Sequence, residues 1–97
     1  MEYWKVDWLH DFQSEAIRIY NEIGDDGYEV RKVYQYRDGR RLRADELHES
    51  YEIGLGTVPV GSIEDVVSQP EFEAVVITRQ AFEIEWHGAS WPDGAQA

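Results

Sequence analysis

The strongest constraint on the fold is an alternating run of apolar and polar residues at 28–37, followed by the dipeptide Asp38-Gly39 and a second alternating run at 40–44. The apolar positions of the first run are Tyr28, Val30, Tyr34 and Tyr36, and its polar positions are Glu29, Arg31, Gln35 and Arg37. A period of two is typical of a β-strand. Asp-Gly between two strands favours a type I′ turn, in which both central residues have positive φ. The pattern predicts a hairpin with one apolar face.

Two further runs, at residues 2–10 and 16–23, alternate in the same way, so the first half of the chain predicts a meander of four antiparallel strands. In the second half, Ser62 and Thr78 are placed to cap two helices that end near Pro70 and Gly88. A short apolar strand at 73–77 separates the helices. A sheet with one apolar face must bury it. We therefore expect an α+β fold, an antiparallel four- to five-stranded sheet with two short helices packed on one face.

Length and composition limit the kind of protein. The 97 residues are expected to form one domain at 1–88, with a mobile tail at 89–97. No cysteine is present, which excludes disulfides and thiolate chemistry. The sequence shows neither a secretory signal nor an apolar run long enough to span a membrane, so the expected location is the cytoplasm, without membrane contact. Twenty acidic residues against nine basic ones give a net charge of −11, which argues against binding to nucleic acid.

Six of the nine cations fall within residues 31–43. One interpretation is structural: cross-strand ion pairs on the outer face of the sheet with Asp7, Glu22 and Glu29. The other is functional: a site that grips a small anionic ligand, which would make the chain a small-molecule or regulatory binding module. The residues of that anion site would be Arg31, Arg37, Arg41 and Arg43. Lys32 fits neither interpretation, because it falls on the apolar side and is expected to extend its ammonium outward.

No catalytic, metal or cofactor motif is present. His10 and Asp11 are neighbours in a strand and point to opposite faces, so they do not form an acid–base pair. His48 lacks a second histidine at the spacing of a zinc site. The glycines of "GLGTVPVG" match neither a dinucleotide fingerprint nor a phosphate-binding loop. We therefore expect no cofactor, no metal and no enzymatic activity. The connection at 45–61 is long for a compact domain, which makes it the first candidate contact surface.

Five stretches of the chain resemble a family of small bacterial proteins classed as a domain of unknown function. These stretches are "KVDWLHDF" at 5–12, "IYNEIGDDGYEVRKV" at 19–33, "RDGR" at 37–40, "VPVGSIEDV" at 58–66 and "PEFEAVVITRQAFEIEW" at 70–86. Members of that family look like proteins encoded beside polymorphic toxin genes. The resemblance therefore implies an immunity role, in which a monomer or homodimer inhibits a cognate toxin.

An acidic protein suits such a role if the toxin acts on nucleic acid, because enzymes of that kind have basic clefts. The expected contact residues are the acids of turns and loops together with two aromatic anchors. They are Asp25, Asp26, Asp45, Glu46, Glu49, Tyr51, Glu52 and Trp91.

Overall fold

The computed structural model describes residues 1–50 and 52–92, and five strands in this part form one antiparallel sheet. The strands are β1 (Glu2–Trp8), β2 (Arg18–Ile23), β3 (Glu29–Gln35), β4 (Arg41–Asp45) and β5 (Phe72–Ile77). The first four form the predicted meander, and the last lies beside β1, which gives the order β4-β3-β2-β1-β5. Strand β1 therefore has a neighbour on each side, and β4 and β5 are the edges.

Two helices, α1 (Ile63–Val67) and α2 (Arg79–Gly88), cover the sheet from opposite sides. Phe82 and Trp86 of α2 pack in a cluster with Tyr3, whereas Ile63 of α1 packs in a cluster with Trp4. Tyr3 and Trp4 are successive residues of one strand, so they point to opposite faces. The α+β class and the antiparallel sheet with two helices are confirmed.

The predicted placement of both helices on one face is wrong. The face that the alternation marks as polar carries Tyr3, Tyr20 and Val33, all of which are buried. This central apolar strip is covered by Phe82 and Trp86 of α2, and the five residues belong to one core cluster. The polar side chains around the strip are consequently enclosed between the sheet and the helix.

Side chains cap both helices at the predicted residues. The Ser62 hydroxyl accepts a hydrogen bond from the Asp65 N–H at 3.3 Å, and the Asp65 carboxylate accepts one from the Ser62 N–H at 3.3 Å, which completes a capping box. Thr78 Oγ1 accepts a hydrogen bond from the Ala81 N–H at 3.1 Å. Helix α2 ends at Gly88, as expected.

The cap of α2 yields a stability prediction. Thr78→Ala removes the only side-chain oxygen that accepts the Ala81 N–H among the described residues, so it should lower the free energy of unfolding by about 1 kcal/mol. Urea titration followed by tryptophan fluorescence measures this change. Thr57→Ala, at an exposed loop position, is the control and should change stability by less than about 0.5 kcal/mol. Equal losses in the two variants would contradict the capping role.

The β3–β4 connection differs from the predicted type I′ turn. Gly39 has a φ of +90°, and no residue other than glycine has a positive φ in the part of the chain that the structure describes. The Gly39 N–H donates to the Tyr36 carbonyl at 2.9 Å, and the Tyr36 N–H donates to the Arg40 carbonyl at 2.9 Å. Residues 37–39 thus form a three-residue loop with glycine at the left-handed position, a common alternative to the two-residue turn.

The residues after α2 continue the packed domain. Ala89 is buried in the α2 cluster, and Pro92 is also buried. The Ser90 carbonyl accepts a hydrogen bond from the Arg43 N–H at 3.0 Å, and the Ser90 N–H donates to the Arg41 carbonyl at 3.0 Å. The predicted domain boundary after residue 88 is therefore too early, since residues 89–92 belong to the domain. The rest of the predicted tail, residues 93–97, lies outside the described residues.

Candidate functional site: an acidic end of the sheet

Arg31 lies between the sheet and α2 and is held there by two carboxylates. Its Nε is 2.6 Å from Glu22 Oε1, its Nη2 is 2.9 Å from Glu22 Oε2, and both Nη atoms bond to Glu83. The guanidinium carbon is also 5.0 Å from the centre of the Phe82 ring and 4.9 Å from that of Trp86. Arg31 is a structural residue that joins β2, β3 and α2.

The hydrogen bonds of Arg31 keep both carboxylates ionised. They are the main cause of the lowered pKa of Glu22, which burial opposes, and they lower the pKa of Glu83 in the same way. The bond to Glu22 is likewise the main cause of the raised pKa of Arg31. All three groups are thus charged at neutral pH.

Of the other three arginines predicted to bind an anion, two are bonded to residues of α2 and one is distant from the rest. Arg41 forms an ion pair with Glu85 at 2.8 Å. Arg43 donates from Nη1 to the Trp86 carbonyl at 3.1 Å, and its guanidinium lies over the rings of Trp86 and Trp91. Arg37 is exposed near the opposite end of β3 and bonds to the His10 carbonyl. The four arginines therefore do not form one anion-binding site, because three are committed to α2 and the fourth is separate.

One of the three acids predicted to pair with the 31–43 cations does so across strands, since Glu22 opposes Arg31. Asp7 instead opposes Arg18, which lies outside that cluster, with 2.6 Å between Oδ1 and Nε. Glu29, however, lies on the other face of the sheet, because the pairing of β2 with β3 shifts by one residue between Glu22 and Ile23. A shift of this kind reverses the face to which a side chain points.

The shifted Glu29 meets Lys32, whose place on the apolar side is thereby explained. The Lys32 ammonium is 2.9 Å from Glu29 Oε1 and donates to the Gly54 carbonyl at 3.2 Å, whereas Glu29 Oε1 accepts from the Gly56 N–H at 2.6 Å. The side chains are only 12% and 5% exposed. Lys32 does not extend outward as expected. The pair instead anchors the connection at 46–61 to the sheet.

Carboxylates collect at the end of the sheet where β1 and β3 begin and β2 and β4 finish. We call this the acidic end, and its residues are Glu2, Asp25, Asp26, Asp45 and Glu46. Strand pairing places Glu2 opposite Ile23 and Asp45 opposite Arg31. Neighbouring strands are about 4.8 Å apart, so the group extends over roughly 15 Å from β1 to β4.

Each carboxylate of the turn between β2 and β3 forms one hydrogen bond. The Asp26 side chain accepts a hydrogen bond from the Tyr28 N–H at 3.1 Å, which holds the turn. The Asp25 side chain is 92% exposed and lies 2.7 Å from the Met1 ammonium. That hydrogen bond lowers the pKa of Asp25, so the group carries its negative charge at any physiological pH.

An open groove of about 750 Å³ adjoins the acidic end. Its apolar lining includes Trp4, Ile23 and Val76, and its acidic lining comprises Glu2, Asp25 and Glu64. Glu2 and Glu64 were not among the site residues predicted from the sequence. Glu2 was within reach of sequence reasoning, since the start of β1 must lie beside the β2–β3 turn in an antiparallel meander. Glu64 was not, because the position of α1 depends on tertiary packing.

The predicted contact residues fall into two groups. Asp25, Asp26, Asp45 and Glu46 meet at the acidic end, although Asp45 also accepts hydrogen bonds from the Leu47 N–H and from the His48 ring. The remaining residues lie along the 46–61 connection and beside β4. There Glu49 accepts from the Leu55 N–H, Glu52 is 3.9 Å from Arg40, and Trp91 packs against Trp86 and His48. Tyr51 lies outside the described residues.

The described residues show neither the arrangement that a metal site requires nor the one that a membrane-spanning helix requires. In residues 1–50 and 52–92, no group of three or more His, Asp or Glu side chains is placed to hold a metal ion. None of the helices in this part of the chain is long and apolar enough to cross a membrane.

The fold and the acidic end define a small acidic α+β domain built on an open antiparallel sheet. The chain belongs to the family described as domain of unknown function DUF6881, whose model matches residues 2–90. The match includes all five strands, both helices and every residue of the acidic end. No curated protein and no solved structure matches the chain.

Proposed function

We propose that this chain is a non-catalytic inhibitory protein of the immunity type, which binds a cognate toxin enzyme through its acidic end. The observation that carries the proposal is the distribution of charge. Five of the nine Lys and Arg side chains are within ion-pair distance of acids of the same chain. Each such pair neutralises one acid, so the net charge of −11 rests on carboxylates in excess of the cations, and five carboxylates are gathered at one end of the sheet.

The expected partner is an enzyme that acts on nucleic acid. Such an enzyme places Lys and Arg side chains along the path of the phosphate backbone. Carboxylates at strand ends and in a tight turn present negative charges at fixed spacings, and a rigid array loses little conformational entropy when it binds. Complementary charge also accelerates encounter. The toxin cleft would thus be occupied by the acidic end in place of its substrate.

The alternative function, binding of a small anionic ligand, depended on four available arginines. Arg31 and Arg41 are held in ion pairs with residues of α2, and Arg37 lies apart. A ligand would have to break these pairs before it could bind. The inhibitory function is therefore the one that the geometry favours.

Charge reversal at the acidic end tests the proposal. The triple variant Asp25→Lys, Asp26→Lys and Glu46→Lys should reduce the association rate with the partner about 10- to 100-fold at low ionic strength, because attraction is replaced by repulsion. The probe is the protein encoded by the neighbouring gene, and surface plasmon resonance at several salt concentrations gives the rates. For the wild type, the rate should fall as ionic strength rises.

A matched triple variant at the other end of the sheet is the control. Asp11→Lys, Glu15→Lys and Asp38→Lys make the same change of net charge at exposed positions. Asp38 also matches Asp26, since each accepts a backbone N–H in a turn. The control should retain an association rate within about threefold of the wild type. Equal reductions in the two variants would show that net charge, and not the acidic end, determines binding.

Co-expression tests the biological role directly. The neighbouring gene product should arrest growth when it is expressed alone and should be tolerated when this chain is present. The triple variant at the acidic end should fail to protect, whereas the matched control should protect. A neighbouring product that is harmless by itself would refute the immunity role.

A further inference from the structure

The two edge strands, β4 and β5, differ in whether other described residues form hydrogen bonds with their outer sides. Strand β4 is covered: the backbone groups of Arg41 and Arg43 bond to Ser90, and Asp45 and His48 exchange backbone hydrogen bonds at 3.3 Å. Strand β5 pairs only with β1 among the described residues. One edge of the sheet is therefore closed by the chain itself, and the other is open.

The register identifies which backbone groups of β5 face outward. The Leu9 N–H donates to the Glu71 carbonyl at 2.7 Å, in line with the pairing of β1 and β5. Because hydrogen-bonded positions alternate along an antiparallel pair, Glu73, Val75 and Ile77 bond to β1. The N–H and carbonyl groups of Ala74 and Val76 then point away from the sheet. No other described residue forms a backbone hydrogen bond with them.

The second half of the open edge strand, residues 74–77, is apolar and lacks the charges and prolines that commonly protect an edge. Val75 and Val76 are 52% and 56% exposed. Residues 74–77 contain no charge and no proline, and the described residues leave their outer side uncovered. Natural proteins normally block such an edge, because it is a template for another strand. We infer that β5 is a docking strand, to which an extended cationic segment of the partner protein adds as a sixth strand; this rests on the proposed function for the identity of the partner.

Charge indicates a cationic occupant. Glu71 and Glu73 are exposed on and beside the strand, and Glu64 lines the adjoining groove together with Val76. A second copy of the chain would bring the same carboxylates and a further charge of −11, which disfavours pairing of β5 with itself. A segment with alternating apolar and basic residues would place its bases on the face of Glu73 and its apolar side chains on the face of Val76, because these two residues of β5 point to opposite faces. Main-chain hydrogen bonds to Ala74 and Val76 would supply affinity, as in other cases of strand addition.

A synthetic peptide provides the test without the partner protein. An N-acetylated peptide of alternating valine and lysine is added to the full ¹⁵N-labelled chain, and amide exchange is followed by NMR. The amides of Ala74 and Val76 should exchange at least about tenfold more slowly with the peptide, because they become hydrogen-bonded. A peptide of alternating valine and glutamate, and a backbone N-methylated copy of the lysine peptide, should give no protection.

Two variants at Val76 distinguish the contribution of its backbone N–H to peptide affinity from that of its side chain. Val76→Pro removes an outward N–H that the fold does not use, and it should weaken peptide binding about tenfold, since the peptide carbonyl loses its donor. Val76→Thr keeps the N–H and should retain affinity within about threefold. Thermal melts should show that both variants remain folded.

Three results would overturn the inference. The first is that the lysine peptide does not protect these amides, and the second is that the two Val76 variants have equal effects. The third is that the free chain forms a dimer in sedimentation experiments and that Val76→Pro abolishes it. Because the toxin is not used, the peptide result does not depend on the immunity role. Protection at β5 together with failure of the co-expression test would leave strand addition standing and remove only the proposed function.

Discussion

Glu29→Gln should lower the free energy of unfolding by about 3–5 kcal/mol, one of the two largest effects expected for a single substitution in this chain. The change leaves the Lys32 ammonium beside Gly54 without its counter-charge, in a place where the lysine side chain is only 12% exposed. It also weakens the acceptor of the Gly56 N–H. Urea titration monitored by fluorescence measures the loss, which is large for a domain of this size.

A double-mutant cycle tests the cause. Lys32→Met alone should also destabilise, because it leaves the Glu29 carboxylate buried and unpaired. The double variant Glu29→Gln with Lys32→Met should be more stable than the sum of the single changes implies, since neither charge then remains. Glu49→Gln, at an exposed acid that also accepts a loop N–H, is the control and should cost less than about 1 kcal/mol. Strict additivity in the cycle would show that the two charges do not interact.

Arg31→Met is the second large prediction, with an expected loss of about 3–5 kcal/mol at neutral pH. The variant leaves Glu22 and Glu83 close together beneath α2 and without their shared cation. It also removes a guanidinium that contacts the rings of Phe82 and Trp86. Arg79→Met, at the exposed first position of α2, is the control and should change stability by less than about 1 kcal/mol.

The pH dependence distinguishes an ionic role of Arg31 from a simple loss of packing. The pKa values of Glu22 and Glu83 lie below the ordinary value of 4.5 in the folded protein. Their contribution to stability is therefore fully present above the unfolded pKa and is lost as the pH falls through the lowered folded pKa values. The wild type should lose stability in this range, whereas Arg31→Met should lose much less. A constant difference between the two proteins from about pH 7 to pH 3 would contradict the ionic role.

The helix starts and the strands of the meander were predicted from the sequence, because each depends on residues that are close together in the chain. Ser62 and Thr78 cap helices because their hydroxyls reach N–H groups three residues away, and this requires no tertiary information. The alternation at 2–10, 16–23 and 28–37 likewise predicted the strands, since successive side chains point to opposite sides of the backbone in a strand and not in a helix.

The remaining features depend on contacts distant in sequence. The alternation marked one face as polar, yet Tyr3, Tyr20 and Val33 give that face a core of its own, which α2 covers. Glu29 changed faces through a register shift that the alternation of apolar and polar residues does not indicate. The placement of Lys32 on the apolar side was the one visible sign of it, because a cation at such a position requires a buried partner.

The candidate site, like the fold, was predictable where its causes are local and not where they depend on distant contacts. Asp25 and Asp26 followed from turn composition, and turns are exposed for reasons of backbone hydrogen bonding. The gathering of Glu2, Asp45 and Glu46 around them depends on the pairing of four strands. The open edge at β5 was beyond sequence reasoning, because it depends on which side of the meander the last strand joins.

The central place of β1 has a consequence for synthesis. Its two neighbours, β2 and β5, come from residues 18–23 and 72–77, so one side of the strand stays unpaired until residue 77 has been made. The helix that covers Tyr3 and Tyr20 is made later still. A nascent chain on the ribosome therefore carries an unfinished meander with exposed aromatic residues on both faces. Until residues 72–88 have been made, these aromatic residues are open to non-native contacts of the kind that lead to aggregation.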